Sequence, residues 1–421
     1  MDLFIARQPI FTATQTVYAY ELLFRSGAAN VFPDVDPNHA SARVMADTLF
    51  NLGLQTLTGG KRAFINLTRD LLVGDYATLL PKEQTVIEIL ENVAPDAKVV
   101  AACGRLKEAG YAIALDDFSD SREAASLVAL ADIIKVDVLA TKREQRRALV
   151  KRYAPRGVRM LAEKVETPEA FSEAVDLGYS YFQGYFFAKP AVLRAKAVPE
   201  FRLTYLTLLQ EMVKREVDFQ KVAGIINRDV TLSYKLLRYI NSAFFGLRRT
   251  IASIPEALGL LGERELKRWA SLLSLASLGA NKPSELVIEA ALRARFCEAL
   301  ATDTGLEQRS EELFLLGMFS LLDAILDRPF DVLLQELPIP PAVKAALLGG
   351  DSPLRNVLDC VLTYVKGDWD HLSERMDRLG LGDEELPTRY REAVTWVQKV
   401  LPADTGSTLT QPQASPAVSR S

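Results

Sequence analysis

Histidine is nearly absent from this 421-residue chain: His39 and His371 are the only two, too few to build a metal centre or phosphohydrolase that relies on several histidines. Cysteine is scarce as well. Cys103, Cys297 and Cys360 stand in no metal-ligand or disulfide spacing, which points to a reducing compartment. Charge of one sign is lacking too: the formal net charge is −4, and Lys and Arg are scattered rather than gathered into a basic stripe. Nucleic acid is therefore not an expected partner. No run approaches the roughly 18 consecutive apolar residues of a membrane span. Met1-Asp2 leads straight into strand-like sequence without a signal-peptide pattern. The expectation is a cytoplasmic protein without membrane contact.

With 49% hydrophobic and 25% charged residues, there is ample material for a folded core, and the length suggests two or three domains. From Leu3 to about Pro190, short β-rich runs alternate with helical patterns. The runs are FIARQPI, VYAYELLF, RAFINL, TVIEIL, YAIALDD, IIKVD, VRMLAEK and YFQGYFF, with Ser41–Leu52 and Asp96–Ala109 among the helical stretches. This predicts a parallel sheet wound with helices, and a closed (β/α) barrel is placed ahead of an open doubly wound sheet. After Pro190 only amphipathic helices are predicted, from Val198–Val217 through Thr388–Val400, punctuated by Pro and Gly. The fold class is thus α/β plus all-α: barrel at 1–190, linker at 191–199, helical domain at 200–401 and a disordered tail at 402–421.

The strand ends of the first half carry polar groups in unusual number: Glu21, Asn66, Glu88, Asp116, Asp117, Lys135, Glu163 and Gln183. An isolated Asp-Asp pair is more often a helix cap than a ligand. Repetition over seven strands points instead to a divalent cation, because buried carboxylates need compensation and hard cations prefer oxygen.

These residues lie in an ordered series: QPI at Gln8–Ile10, YELLFR at Tyr20–Arg25, INL at Ile65–Leu67, EILE at Glu88–Glu91, ALDDF at Ala114–Phe118, IIKVD, AEKVET at Ala162–Thr167 and FQGYFFAKP at Phe182–Pro190. In that series the chain resembles the EAL domain, a barrel phosphodiesterase family that linearises cyclic di-GMP. The resemblance implies one Mg²⁺ or Mn²⁺ on Glu21, Asn66, Glu88 and Asp116, and a second ion on Asp116 and Asp117. It assigns Lys135 and Glu163 to the attacking water, Gln183 to completing the shell, and Arg25 and Gln8 to the ligand. The loop Phe118-Ser119-Asp120-Ser121 departs from the family by lacking two glycines, which puts the second ion in question. The crossovers from Asn66 to Glu88 and from Lys135 to Glu163 are short for the family, and Leu22 replaces its alanine as outer packing.

DVTLSYKLLRYINSAFFG at Asp229–Gly246, SIPEALGLLG at Ser253–Gly262, Arg293–Arg295 and Phe314–Leu326 resemble the HDOD domain, a helical signalling output module. Asp229 and Asn241 are read as capping or hydrogen-bonding residues, and His371 as an ordinary surface histidine. Gly59-Gly60-Lys61 is read as a turn, Lys142–Arg152 as a solvated helix face, and Trp269, Trp369 and Trp396 as core or interface aromatics. The reading favoured is a signal transduction protein with a divergent cyclic di-GMP barrel and an HDOD half that contacts a protein partner. The alternative is an active metal-dependent phosphodiesterase under HDOD control, and a third reading is a scaffold without nucleotide binding.

Overall fold

A computed structural model describes residues 3–26, 54–118, 125–186 and 200–401, apart from positions 215, 243, 244, 248, 281, 329, 337 and 338. The helix expected over Ser41–Leu52, the loop Ser119–Ser121, the linker, the tail and His39 lie outside the described residues. Eight strands close into a barrel in sequence order: β1 Leu3–Thr12, β2 Val17–Ser26, β3 Arg62–Leu67, β4 Thr85–Ile89, β5 Ala112–Leu115, β6 Ile133–Asp137, β7 Arg159–Glu163 and β8 Tyr181–Gln183. An open doubly wound sheet is thereby excluded. One feature departs from the expected all-parallel sheet: β1 runs antiparallel to both β2 and β8. A four-residue hairpin loop between β1 and β2 is too short for a parallel crossover.

Strand alternation sorts the side chains. Ile10, Ala19, Phe64, Val86, Ala114, Ile133, Leu161 and Tyr181 form an apolar cluster of their own, one residue from each strand, inside the barrel. The neighbouring residues Tyr20, Ile65, Ile87, Leu115, Ile134, Ala162 and Phe182 belong to the larger core outside it. Leu22 is fully buried in that outer core, as expected. The helices Ala97–Glu108 and Pro168–Leu177 start on designed caps: Asp96 accepts from Lys98 and Val99 N–H, and Thr167 accepts from Ala170 N–H.

From Glu200 onward the described residues are helical, and they bury one core with the outside of the barrel. Gly262 leaves helical geometry at φ +70 and ψ 170, so Ile254–Leu278 is two helices meeting where the second was expected to start. Three further helices, Leu322–Leu326, Phe330–Glu336 and Trp369–Leu379, are not among those expected. Asp229 caps through Thr231 and Leu232 N–H, and Asn241 bridges Leu237 and Ile251. Trp269 and Trp396 are buried, Trp369 sits edge-on to Phe4, and His371 is exposed beside Asp368. Gly59 and Gly60, at φ +61 and +80, turn the chain into β3. The basic run forms the helix Arg143–Tyr153, mostly solvated, although Arg146 is buried against Glu173.

Candidate functional site

Stepping two residues from each member of the inner apolar layer toward the C-terminal mouth gives Glu21, Asn66, Glu88, Asp116, Lys135, Glu163 and Gln183; on reversed β1 the same step gives Gln8. One polar layer therefore caps one apolar layer, a residue per strand or strand end. At its centre the Lys135 ammonium, 1% exposed, meets Asp116 at 2.9 Å, Glu163 at 2.8 Å and Glu21 at 3.3 Å, and also contacts Glu88. An ammonium has three N–H donors, so it cannot satisfy four carboxylates. The amides supply further donors to Glu21: Asn66 Nδ2 at 3.1 Å and Gln183 Nε2 at 2.7 Å.

Burial dominates the electrostatics. It drives Glu88 well above the ordinary carboxylate range, helped by Glu21 and opposed by Lys135. It pushes Glu163 up to about 8, again against Lys135. Burial works the other way on Lys135, but the surrounding carboxylates outweigh it and keep the ammonium charged. Four acids facing one base leave excess negative charge that protons must neutralise unless a cation does.

Do these residues fit a divalent ion? Among the described residues no three His, Cys, Asp or Glu side chains are gathered at metal-ligating spacing, because the acids converge on Lys135 instead. Yet Asn66 Oδ1, Glu88 Oε2, Glu163 Oε2 and Gln183 Oε1 are all buried without a hydrogen-bond partner. These are carboxylate and amide oxygens, the donors Mg²⁺ and Mn²⁺ take. In donor chemistry the residue set fits such an ion. Asp117 is not brought into the cluster: its side chain is exposed and its backbone is left-handed at φ +38. Arg25 pairs with Phe4 through its backbone, and its side chain lies outside the described residues.

The cluster is tied to the helical half. Gln183 Nε2 also donates to Gln8 Oε1 at 3.0 Å, and Gln8 Nε2 donates to the Lys366 carbonyl at 2.8 Å, in the last turn of the helix Pro353–Lys366. Next to Glu21, the Tyr20 hydroxyl points outward and donates to Glu285 at 2.8 Å; the Arg7 guanidinium lies 4.6 Å above its ring. Glu285 is a functional candidate that sequence reading missed, since its relation to Tyr20 spans 265 positions.

Comparison with known proteins accounts for both halves. The EAL domain family matches residues 29–190 and the HDOD domain family matches residues 198–325. An uncharacterized protein of Bacillus subtilis, YuxH, is 37% identical over 411 residues, covering 96% of this chain and all of the relative. The cyclic di-GMP phosphodiesterase CdgJ of Vibrio cholerae is 35% identical over 400 residues, covering 94% of this chain and 93% of the relative. The chain belongs to the EAL–HDOD family. Among solved structures, the calcium/cyclic di-GMP complex of Klebsiella pneumoniae BlrP1 is 24% identical, with a TM-score of 0.37, covering 45% of this chain and 56% of that one. The EAL match begins after β2, so Gln8 and Glu21 enter this EAL–HDOD protein's polar layer through strands that precede it.

Proposed function

We propose that this EAL–HDOD protein is a signal transduction protein whose barrel recognises cyclic di-GMP with Mg²⁺ or Mn²⁺, and whose HDOD half presents the resulting state to a protein partner. The observation that carries the reading is the polar layer itself. Its excess of buried carboxylates and four unpartnered oxygens have no role in a barrel that only supports its neighbour, and they would be costly to keep there. Glu21, Asn66, Glu88 and Asp116 would hold the ion. When bound, such an ion polarises a phosphoryl oxygen and activates water. Gln183 and Gln8 would register its presence, because Gln183 donates to Glu21 and Gln8 carries the connection to Lys366. Arg25, on the strand that carries Glu21, is the residue proposed to meet ligand phosphate. CdgJ's designation as a cyclic di-GMP phosphodiesterase supports the nucleotide class.

Turnover is the second reading, favoured by one observation: Glu163, raised to about 8, lies 2.8 Å from Lys135, so its carboxyl can exchange a proton near neutral pH. Calorimetric titration of cyclic di-GMP in Ca²⁺, with product analysis in Mg²⁺ and Mn²⁺, separates the readings. Binding without linear product, lost in Glu21→Ala, supports the sensor. Linear product that disappears in Glu21→Ala establishes the enzyme, and absence of both effects refutes both readings.

A further inference from the structure

We propose that the barrel holds one divalent cation rather than two, because Lys164, paired with Asp137, supplies the positive charge that a second ion would bring to the tops of β5, β6 and β7. This rests on the reading of the polar layer given above. Asp117, the residue the second ion would require, is exposed and makes no ion pair with Lys135 at the layer's centre, and its N–H donates to Asp116 Oδ1 at 3.1 Å. Asp137, at the top of the adjacent β6, is already committed through both oxygens. Its Oδ1 accepts from Leu139 N–H at 2.7 Å and Ala140 N–H at 3.0 Å, and its Oδ2 accepts from Lys164 Nζ at 2.5 Å.

Lys164 is delivered there by a locked backbone. Asp137 stands opposite Glu163 in register, Val138 N–H donates to the Glu163 carbonyl at 3.2 Å, and Val165 N–H donates to the Gln183 carbonyl at 2.9 Å. Between these anchors Lys164 adopts φ +54, a conformation that L residues rarely take. Its charge falls on Asp137 and, electrostatically, on Asp117 and Glu163 as well. A second divalent ion would lie beside a like charge and find one neighbouring carboxylate already bonded. The first ion's oxygens belong to the buried layer, where the compensating charge is Lys135.

Mn²⁺ titration of the full chain, followed by electron paramagnetic resonance, reads this directly. The wild type is expected to bind one Mn²⁺ per chain, with the spectrum of an isolated ion. Lys164→Gly, which removes the ammonium and suits the left-handed backbone, is expected to bind two with a spin-coupled spectrum. Lys164→Met keeps the side-chain bulk without the charge and is expected to bind two as well. Two coupled ions in the wild type would overturn the inference while leaving the reading of the layer intact. One ion in all three proteins would show that Lys164 does not set the number. No ion in the wild type, with Glu21→Ala behaving identically, would overturn this inference and the reading beneath it together.

Discussion

Lys135 is the residue on which the polar layer turns. Removing its ammonium by Lys135→Met leaves Glu21, Glu88, Asp116 and Glu163 facing each other in a buried site. Breaking one side of a buried ion cluster costs about 3–5 kcal/mol, so the variant is expected to unfold at markedly lower denaturant in EDTA. Mn²⁺ should restore much of the loss, because the divalent ion replaces the missing charge; equal stability with and without Mn²⁺ would contradict this. Most of the layer was legible in the sequence, since each member ends an apolar strand-like run at alternating spacing. Asp117 was not separable from Asp116, because adjacency says nothing about backbone φ, and Asp117 sits in a left-handed turn with its side chain exposed. Lys164 carried no signal beyond following Glu163, and its role depends on Asp137, 27 positions earlier.

The strands explain why the layer is level. Each parallel strand presents an apolar residue and then a polar one two positions later, so a one-residue slip would move the whole set to the outside. At the end of β8, Gly184 holds the last member in place. Its φ is +142, and a Cβ there would come within 2.2 Å of the Val165 carbonyl oxygen. Gly184→Ala must therefore push apart the contact in which Val165 N–H holds the Gln183 carbonyl. Thermal denaturation is expected to show a loss of at least about 3 kcal/mol, and cation binding should weaken with it; a wild-type melting curve would sink the argument. The same alternation made the barrel readable, and it also hid the direction of β1, because a period of two is identical read forwards or backwards. The helix Trp369–Leu379 escaped notice because it is strongly polar, with only Leu372 and Met376 buried. Phe330–Glu336 is only seven residues long and shows too little periodicity.

At the scale of the molecule, the barrel and the helical half share β1 and β2 between them. Gln8 and Glu21 face the polar layer, while Phe4, Arg7 and Tyr20 face the helices. Gly367, at φ +69, lets the helical half come so close that a Cβ would lie 2.5 Å from Leu23 Cδ1. Glu285 makes this junction sensitive to pH. Burial pushes its carboxyl up to about 7, against Arg7 and the Tyr20 hydrogen bond, from 4.5 when unfolded. The folded state thus binds the extra proton, and stability that is present below pH 4.5 is lost as pH rises through about 7. The loss is on the order of 3 kcal/mol. Glu285→Gln keeps an acceptor for Tyr20 and is expected to flatten stability between pH 5 and 7; an unchanged slope would assign the pH dependence elsewhere.

The central claim is that the helical half reads the state of the barrel's polar layer, and hydrogen exchange of the full chain with cyclic di-GMP and Ca²⁺ tests it most directly. Binding should slow exchange at β8 and also alter it at the end of the helix Pro353–Lys366, where Gln8 is bonded to Lys366. In Gln8→Ala the helical response should disappear even at cyclic di-GMP concentrations that saturate the barrel. Protection confined to the barrel in the wild type, or no protection at all, would contradict the account.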